Sequence, residues 1–350
     1  MKCGQDCKVR SIRTALREPI LESTSPRLIT PETIHIMERR DFLKSATVAS
    51  LIATGMVSTS GAAHHGGAHS KKFTMKFGPH SGHFKYAAGD NVLDQIRYAH
   101  GQVFTAWEDN RAPRRPVAEQ EAMGKLLSQL GMTMGVFVSY ADFKNPTFAG
   151  HRMSRDERKR DPQAVREMLT GAMNDAVEVS QRLGAKWTTI VPGSIDHGLL
   201  DEYQTQNTVE MLRHCADILK PHGIIAVLEP LNRINHPGSF LQRVGQAHPI
   251  CKMVGSSSVK ILDDLYHQQI TEGSLITNMI DAWDEIAYIQ VGDVPGRKEP
   301  TSGEINYQHI FQWLKDRGYE GVVGMEHGIS VNGPEGEAKF IASYRAVDAS

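Results

Sequence analysis

The chain has 350 residues, long enough for one large domain, and an α/β barrel commonly fills about 250 residues as a single unit. Thirty-nine Lys and Arg against 40 Asp and Glu leave a formal net charge of -1. That balance offers no polycationic surface to nucleic acid and suits a small neutral or anionic substrate better than a polyanion.

The four cysteines (Cys3, Cys7, Cys215 and Cys251) form no CxxC pair, and Cys215 and Cys251 fall on predicted helices as small buried hydrophobes. The first 72 residues read as an address rather than a fold. Met37 begins Met-Glu-Arg-Arg-Asp-Phe-Leu-Lys, with the adjacent arginines, aromatic, leucine and lysine of a twin-arginine export signal. Residues 45–57 form a modest Ala-rich apolar stretch, too short to span a bilayer as a helix. Small residues at 58–63 suit a signal peptidase, so 37–63 is expected to be the signal and 64–72 a linker. Residues 1–36 are expected to be an upstream extension, and the mature protein to be periplasmic. An amphipathic helix with a chance arginine pair is the alternative.

From Phe73 onward apolar runs alternate with amphipathic helices. FTMKFGPH precedes a short helix over 92–100, and VFTAWED precedes a helix over 116–131 with Pro at its start and Gly at its end. MTMGVFVSY reads as one strand, followed by a polar excursion over 144–160 and a long helix over 162–184. AKWTTIVPG, a helix over 208–220, IIAVLE, a helix over 240–254, VKILDD, a helix over 275–285, AYIQV, a helix over 307–317, GVVGME and a helix over 335–347 complete the series. Strands alternating with helices predict βαβ units, and eight of them favour a closed (β/α)8 TIM barrel over 73–350. No glycine-rich phosphate loop follows the first strand, which argues against a Rossmann sheet.

Polar residues recur at the strand ends. Glu229 closes IIAVLE, Asp264 closes VKILDD, Gln290 sits in IAYIQV and Glu326 follows GVVGM. A carboxylate at the end of so apolar a run costs several kcal/mol unless it is paired, protonated or bound to a metal. Three acids and an amide from different βα units form an oxygen-rich set suited to Mg2+ or Mn2+, and no thiolate cluster offers zinc a home. Glu229 and Glu326 could flank a substrate as acid and base, or could be ion-pair partners of Arg or Lys at the barrel mouth. His267 could orient a substrate hydroxyl or simply start a helix, and Arg297 could clamp a carboxylate or stay solvated. His80 and Glu108, ending the first two strands, are weaker candidates for substrate contact. Trp107, Phe143 and Trp187 could wall the mouth, although core packing is the commoner role.

The segments LEPLN, LDDLYH, IQVGDVPGRKEPTSGEINY and GMEHG resemble the hydroxypyruvate isomerase branch of the xylose isomerase-like barrels. The resemblance runs from about Phe73 to the carboxyl end, and its diagnostic motifs all follow residue 224. It implies an isomerase that interconverts a 2-keto-3-hydroxy compound and its aldehyde through an enediol, using a divalent metal. It implies Glu229 and Glu326 as acid/base pair and metal ligands, Asp264 and Gln290 as the remaining ligands, and His267 and Arg297 as substrate contacts. Glu299 and Glu304 match the motif and are expected to brace the loop. Two residues depart from the pattern. Asp263 stands where relatives carry an apolar residue, and of two adjacent acids on a strand only one, expected to be Asp264, can face the mouth. His327 replaces a common tyrosine. A ketose 3-epimerase or related sugar isomerase, an abasic-site endonuclease-like barrel and a non-catalytic sugar-binding barrel are the other readings. The expected partner is a small keto acid or sugar, with no nucleic acid, no stable membrane span, and room for a homo-oligomer.

Overall fold

A computed structural model describes residues 71–350; the expected extension, export signal and most of the linker lie outside them. The strands are β1 (Lys76–Gly78), β2 (Ala106–Trp107), β3 (Thr133–Met134), β4 (Phe137–Asp142), β5 (Trp187–Pro192), β6 (Ile225–Leu228), β7 (Val259–Asp264), β8 (Ile286–Gln290) and β9 (Val322–Gly324). All pairings are parallel, in the order β1-β9-β8-β7-β6-β5-β4 with β2 beside β3. A bridge between His80 and Glu108 joins β1 to β2, and β3 runs on into β4, so the sheet closes as a TIM barrel.

The helices are α1 (Lys85–Ala88), α2 (Val92–Gly101), α3 (Val117–Leu130), α4 (Thr147–Gly150), α5 (Pro162–Leu183), α6 (Asp201–Leu219), α7 (Val244–Val254), α8 (Leu265–Thr271), α9 (Leu275–Ala282), α10 (Tyr307–Asp316) and α11 (Pro334–Val347). Local chemistry sets their ends. Asp161 accepts from the Ala164 N–H at the start of α5, and Gly184, at φ 68°, closes it in the left-handed conformation that glycine adopts without strain. None of the described helices is long and apolar enough to cross a membrane. Cys215 on α6 and Cys251 on α7 are buried free thiols, pushed up to about 12 by burial.

Three expectations need correction. MTMGVFVSY is two strands, because Gly135 and Val136 leave the ladder where Tyr288 crosses the barrel and its hydroxyl accepts from the Val136 N–H at 3.3 Å. Helix α6 starts at Asp201 rather than 208; its first turns are polar and carry little apolar periodicity, although Gln204 is buried and accepts from the Asp196 N–H. Helix α7 starts at Val244 rather than 240, because Phe240 and Leu241 bond in extended form to Gly193 and Leu231.

Inside the barrel, Ala106, Val136, Trp187, Val227, Leu262, Tyr288 and Val322 form an apolar layer, separate from the larger core between sheet and helices. Side chains alternate across a strand with period two. One pleat beyond that layer, toward the carboxyl ends, come Glu108, Glu229, Asp264 and Gln290; Glu326 lies two pleats beyond Val322, past Gly324. The apolar floor therefore positions a polar ring.

Candidate active site at the carboxyl ends of the strands

The ring is built around Arg297. Its Nη2 donates to Asp264 Oδ2 at 2.5 Å and to Glu326 Oε2 at 2.8 Å, its Nε donates to the Glu326 carbonyl at 2.9 Å, and its guanidinium lies 4.8 Å from the centre of the Tyr266 ring. The loop that carries it is tied down by Asp293, whose carboxylate accepts from the N–H groups of Val294, Gly303 and Ile305. Gly303 has no room for a side chain, since a Cβ there would lie 2.0 Å from the Val294 carbonyl oxygen. Glu299, expected to brace this loop, accepts from the Ser330 N–H at 2.8 Å, and Glu304 accepts from Gln269 at 3.1 Å.

Glu229 and Asp264 are buried, whereas the Glu326 side chain keeps 25% of its surface exposed. Burial, and then the charges of Glu326 and Asp264, hold Glu229 well above the usual carboxylate range. Burial also raises Glu326, against the pull of Arg297. Burial would lower Arg297, but Asp264, Glu326 and Glu229 more than offset it and hold its charge firmly.

His267 lies beneath these acids, with Nε2 3.6 Å from both Glu229 Oε1 and Asp264 Oδ2. Its Nδ1 accepts from the backbone N–H of Asn232 at 3.2 Å, which leaves the ring proton on Nε2. Burial lowers its pKa to about 4, so the ring is neutral and acts as a donor toward the site.

Gln290 and Glu108 form the deep side of the ring. Gln290 Nε2 donates to Glu108 Oε1 at 2.8 Å, and the Tyr288 hydroxyl donates to Glu108 Oε2 at 2.9 Å. Glu108 therefore does not present a free oxygen to the mouth, contrary to its expected substrate contact; it orients Gln290 so that Oε1 is the open end. Burial, and then the Glu326 charge, hold Glu108 well above the usual carboxylate range. His80 stands at the rim, with Nδ1 3.0 Å from the Ser81 carbonyl oxygen, and shares a cavity of about 720 Å³ with Glu326. Asp264 faces Arg297, while Asp263 follows the outward pattern of Ile261 toward the helices. His327 bonds through Nε2 to the Tyr344 hydroxyl at 2.7 Å. Trp107 and Trp187 are core residues, and Phe143 is exposed and stacked on His236 at 5.0 Å.

These residues fit a hard divalent cation. Glu229, Asp264 and His267 bring donor atoms within 4.8 Å of one another. Two buried atoms, Gln290 Oε1 and His267 Nε2, have no hydrogen-bond partner among the described residues, and such orphans are costly unless something else engages them. Since His267 Nε2 carries the proton, the groups left with lone pairs for a cation are the side-chain oxygens of Glu229, Asp264, Gln290 and Glu326. One arginine also leaves the carboxylates of Glu108, Glu229, Asp264 and Glu326 undercompensated. Sequence reasoning missed Asn232, Tyr288 and Asn110, whose Nδ2 donates to Glu326 Oε1 at 2.9 Å; of these Asn232 lay inside the quoted motif LEPLN and Tyr288 inside the quoted run IAYIQV.

Comparison with known proteins gives the same architecture. The chain is 35% identical over 152 residues to hydroxypyruvate isomerase of Escherichia coli (strain K12), covering 43% of this chain and 59% of that protein. It is 36% identical over 119 residues to 2-oxo-tetronate isomerase of Cupriavidus necator, covering 34% of this chain and 46% of that one. The match thus spans under two thirds of either relative's length. A solved structure of a family 2 AP endonuclease from Brucella melitensis superposes with a TM-score of 0.63 at 25% identity, over 78% of this chain and 99% of that chain. The family described as xylose isomerase-like TIM barrel matches residues 96–344, well over half of the chain, and the protein belongs to it.

Proposed function

We propose that the protein is an isomerase, dependent on Mg2+ or Mn2+, that interconverts a small 2-keto-3-hydroxy compound and its aldehyde isomer, with hydroxypyruvate and tartronate semialdehyde as the type pair. The observation that carries this reading is the pair Glu229 and Glu326, just past β6 and β9, with both carboxyl groups held above their ordinary pKa at one buried, acid-rich site. Burial and mutual repulsion make each carboxyl readier to hold a proton than an ordinary carboxylate, the property that general acid–base transfer requires.

The ionised glutamate takes the proton from the hydroxymethyl carbon of the bound ketone, and its protonated counterpart returns one at the neighbouring carbon. The hydroxyl proton passes to the former carbonyl oxygen, so the net change is a shift of two hydrogens between adjacent carbons. His267 donates to a substrate oxygen and keeps it in register, and Arg297 sets the Glu326 carboxylate. A divalent cation held by Glu229, Asp264, Gln290 and Glu326 supplies polarisation of the substrate oxygens. Acid–base transfer of this kind contributes roughly 10²–10⁴-fold.

The purified protein with Mn2+ and hydroxypyruvate in D2O is expected to exchange substrate protons and form the aldehyde, as followed by NMR. Glu229→Gln and Glu326→Gln should each lower kcat by roughly a hundredfold or more. Full turnover by both variants would remove the acid–base assignment. The relatives' names support this class, and a ketose 3-epimerase would use the same proton transfer on a longer chain. We further propose that residues 37–63 direct twin-arginine export, with cell fractionation as the test.

A further inference from the structure

The cavity at Glu326 holds more positive charge than the proposed chemistry uses. Its walls include His80, Asn110, Arg111, Arg114, Arg115 and Glu326, and its volume is about 720 Å³. That lies in the range of roughly 300–1,000 Å³ that encloses drug-sized ligands, far more than a three-carbon keto acid fills.

The three arginines are not alike. Arg115 is fixed three ways, by Asp109 Oδ2 at 2.6 Å, Glu119 Oε1 at 3.0 Å and Ser81 Oγ at 3.0 Å. Those contacts engage the acids nearby, and Asp109 Oδ1 also accepts the Arg111 backbone N–H. The guanidinium groups of Arg111 and Arg114 have no hydrogen-bond or ion-pair partner among the described residues. They ride on a stiff mount: Ala112 is fully buried, Pro113 sits in a single 3-10 turn, and Gln120 Nε2 donates to the carbonyls of Ala112 and Arg115. Asn110, just before Arg111, donates to Glu326 through Nδ2, while its buried Oδ1 has no partner among the described residues. The cavity thus brings together the reacting carboxylate and two arginines that have no side-chain partner among the described residues.

We propose that this cavity is a distal substrate subsite, where Arg111 and Arg114 bind an anionic end group, a carboxylate or a phosphate, on a keto sugar longer than three carbons. The inference rests on the isomerase reading above and narrows its substrate class. Guanidinium pairs recognise such groups through paired, charge-assisted N–H donors, whereas a neutral sugar offers them only single, weaker hydroxyl acceptors.

Three ketohexoses on one carbon skeleton separate the sources: D-fructose, D-fructose 6-phosphate and D-fructuronate, with hydroxypyruvate as the short comparison. Proton exchange in D2O is measured with the Mn2+-loaded protein. The expected result is a preference of tenfold or more in kcat/KM for one acidic sugar over fructose, and which acid wins identifies the group. In Arg111→Ala/Arg114→Ala that ratio should fall to within about threefold of one, through KM of the acidic sugar. The Lys/Lys variant should keep part of it, and Arg97→Ala, an exposed change on α2, should leave it intact. Equal use of all three hexoses, or a preference that survives in the double alanine variant, overturns the proposal. So does hydroxypyruvate being the best substrate and indifferent to both arginines, or cleavage of abasic-site duplex DNA that requires them. If wild type exchanges no proton in any of the four compounds, the isomerase reading fails by itself. Calorimetric binding of fructose 6-phosphate then decides the subsite: binding lost in the double variant supports it, and no binding overturns it.

Discussion

Asp263 and Asp264 show how much one position along a strand can matter. Asp264 faces Arg297 and the Tyr266 N–H, but Asp263 turns toward the helices, where its Oδ1 has no partner among the described residues. Burial first, and then Asp264 and Glu272, push its carboxyl up to about 8. An unfolded aspartate titrates near 3.9, so the folded state holds the proton more tightly. That contribution to stability is complete below about pH 4 and is lost as pH rises to about 8. Asp263→Asn keeps the shape without the charge, so it should stabilise the fold at pH 8 by several kcal/mol and change little at pH 4. Urea denaturation at the two pH values measures this, and equal or lower stability at pH 8 would sink the argument. At this scale the ring residues Glu229, Asp264, Gln290 and Glu326 were legible, because a polar residue closing a wholly apolar run has few uses. Glu108 was read in the right place with the wrong role. Its partners Tyr288 and Gln290 are 180 and 182 residues away in the chain, and no local pattern announces them. Arg111 and Arg114 carried no signal, since loop arginines are usually solvated.

Among the elements, alternating apolar runs and helical periodicity placed most strands and helices within a few residues, and the misses share a cause. Where a tertiary contact ends or splits an element, as at Tyr288, Phe240 and Gln204, the sequence nearby looks continuous or featureless. The split third strand makes this testable. A Cβ on Gly135 would lie 2.3 Å from the Tyr288 hydroxyl oxygen and 3.2 Å from the Trp107 carbonyl oxygen. Gly135→Ala should therefore destabilise the protein by several kcal/mol, as overpacking does. Tyr288→Phe should cost about 1–3 kcal/mol by leaving the Val136 N–H and the Glu108 Oε2 atom without their partner. The two changes should not add. Once the hydroxyl is gone the next contact is looser, so Gly135→Ala combined with Tyr288→Phe should cost at least about 1 kcal/mol less than it does alone. A double-mutant cycle by thermal or urea denaturation measures that coupling, and strict additivity would mean that Tyr288 does not set the break.

For the molecule as a whole, a net charge of -1 conceals a separation of sign. Among the described residues, acids converge on the inner ring while Arg111 and Arg114 stand without partners at the rim, and Arg297 is the one cation paired with the ring. Burial holds Glu108, Glu229 and Glu326 above the usual carboxylate range. In metal-free protein their contribution to stability is therefore present at low pH and lost as pH rises through those raised values. A divalent cation reverses that loss, because it binds the ionised form that the fold otherwise disfavours. Its effect on stability must then grow with pH, since protons compete for the same oxygens at the acid end. At a hundred times its Kd a ligand contributes about 2.7 kcal/mol, or several degrees of Tm in a domain of this size. Mn2+ or Mg2+ should thus raise Tm by about 5 °C at pH 8 and by clearly less at pH 5.5, and EDTA should undo both shifts. Asp264→Asn should abolish the metal-dependent rise, even if removing one buried acid makes the metal-free protein more stable. The two signs together separate a cation site from a ring held by Arg297 alone. In the latter case added metal would leave Tm unchanged at every pH, and losing Asp264 would only weaken the fold.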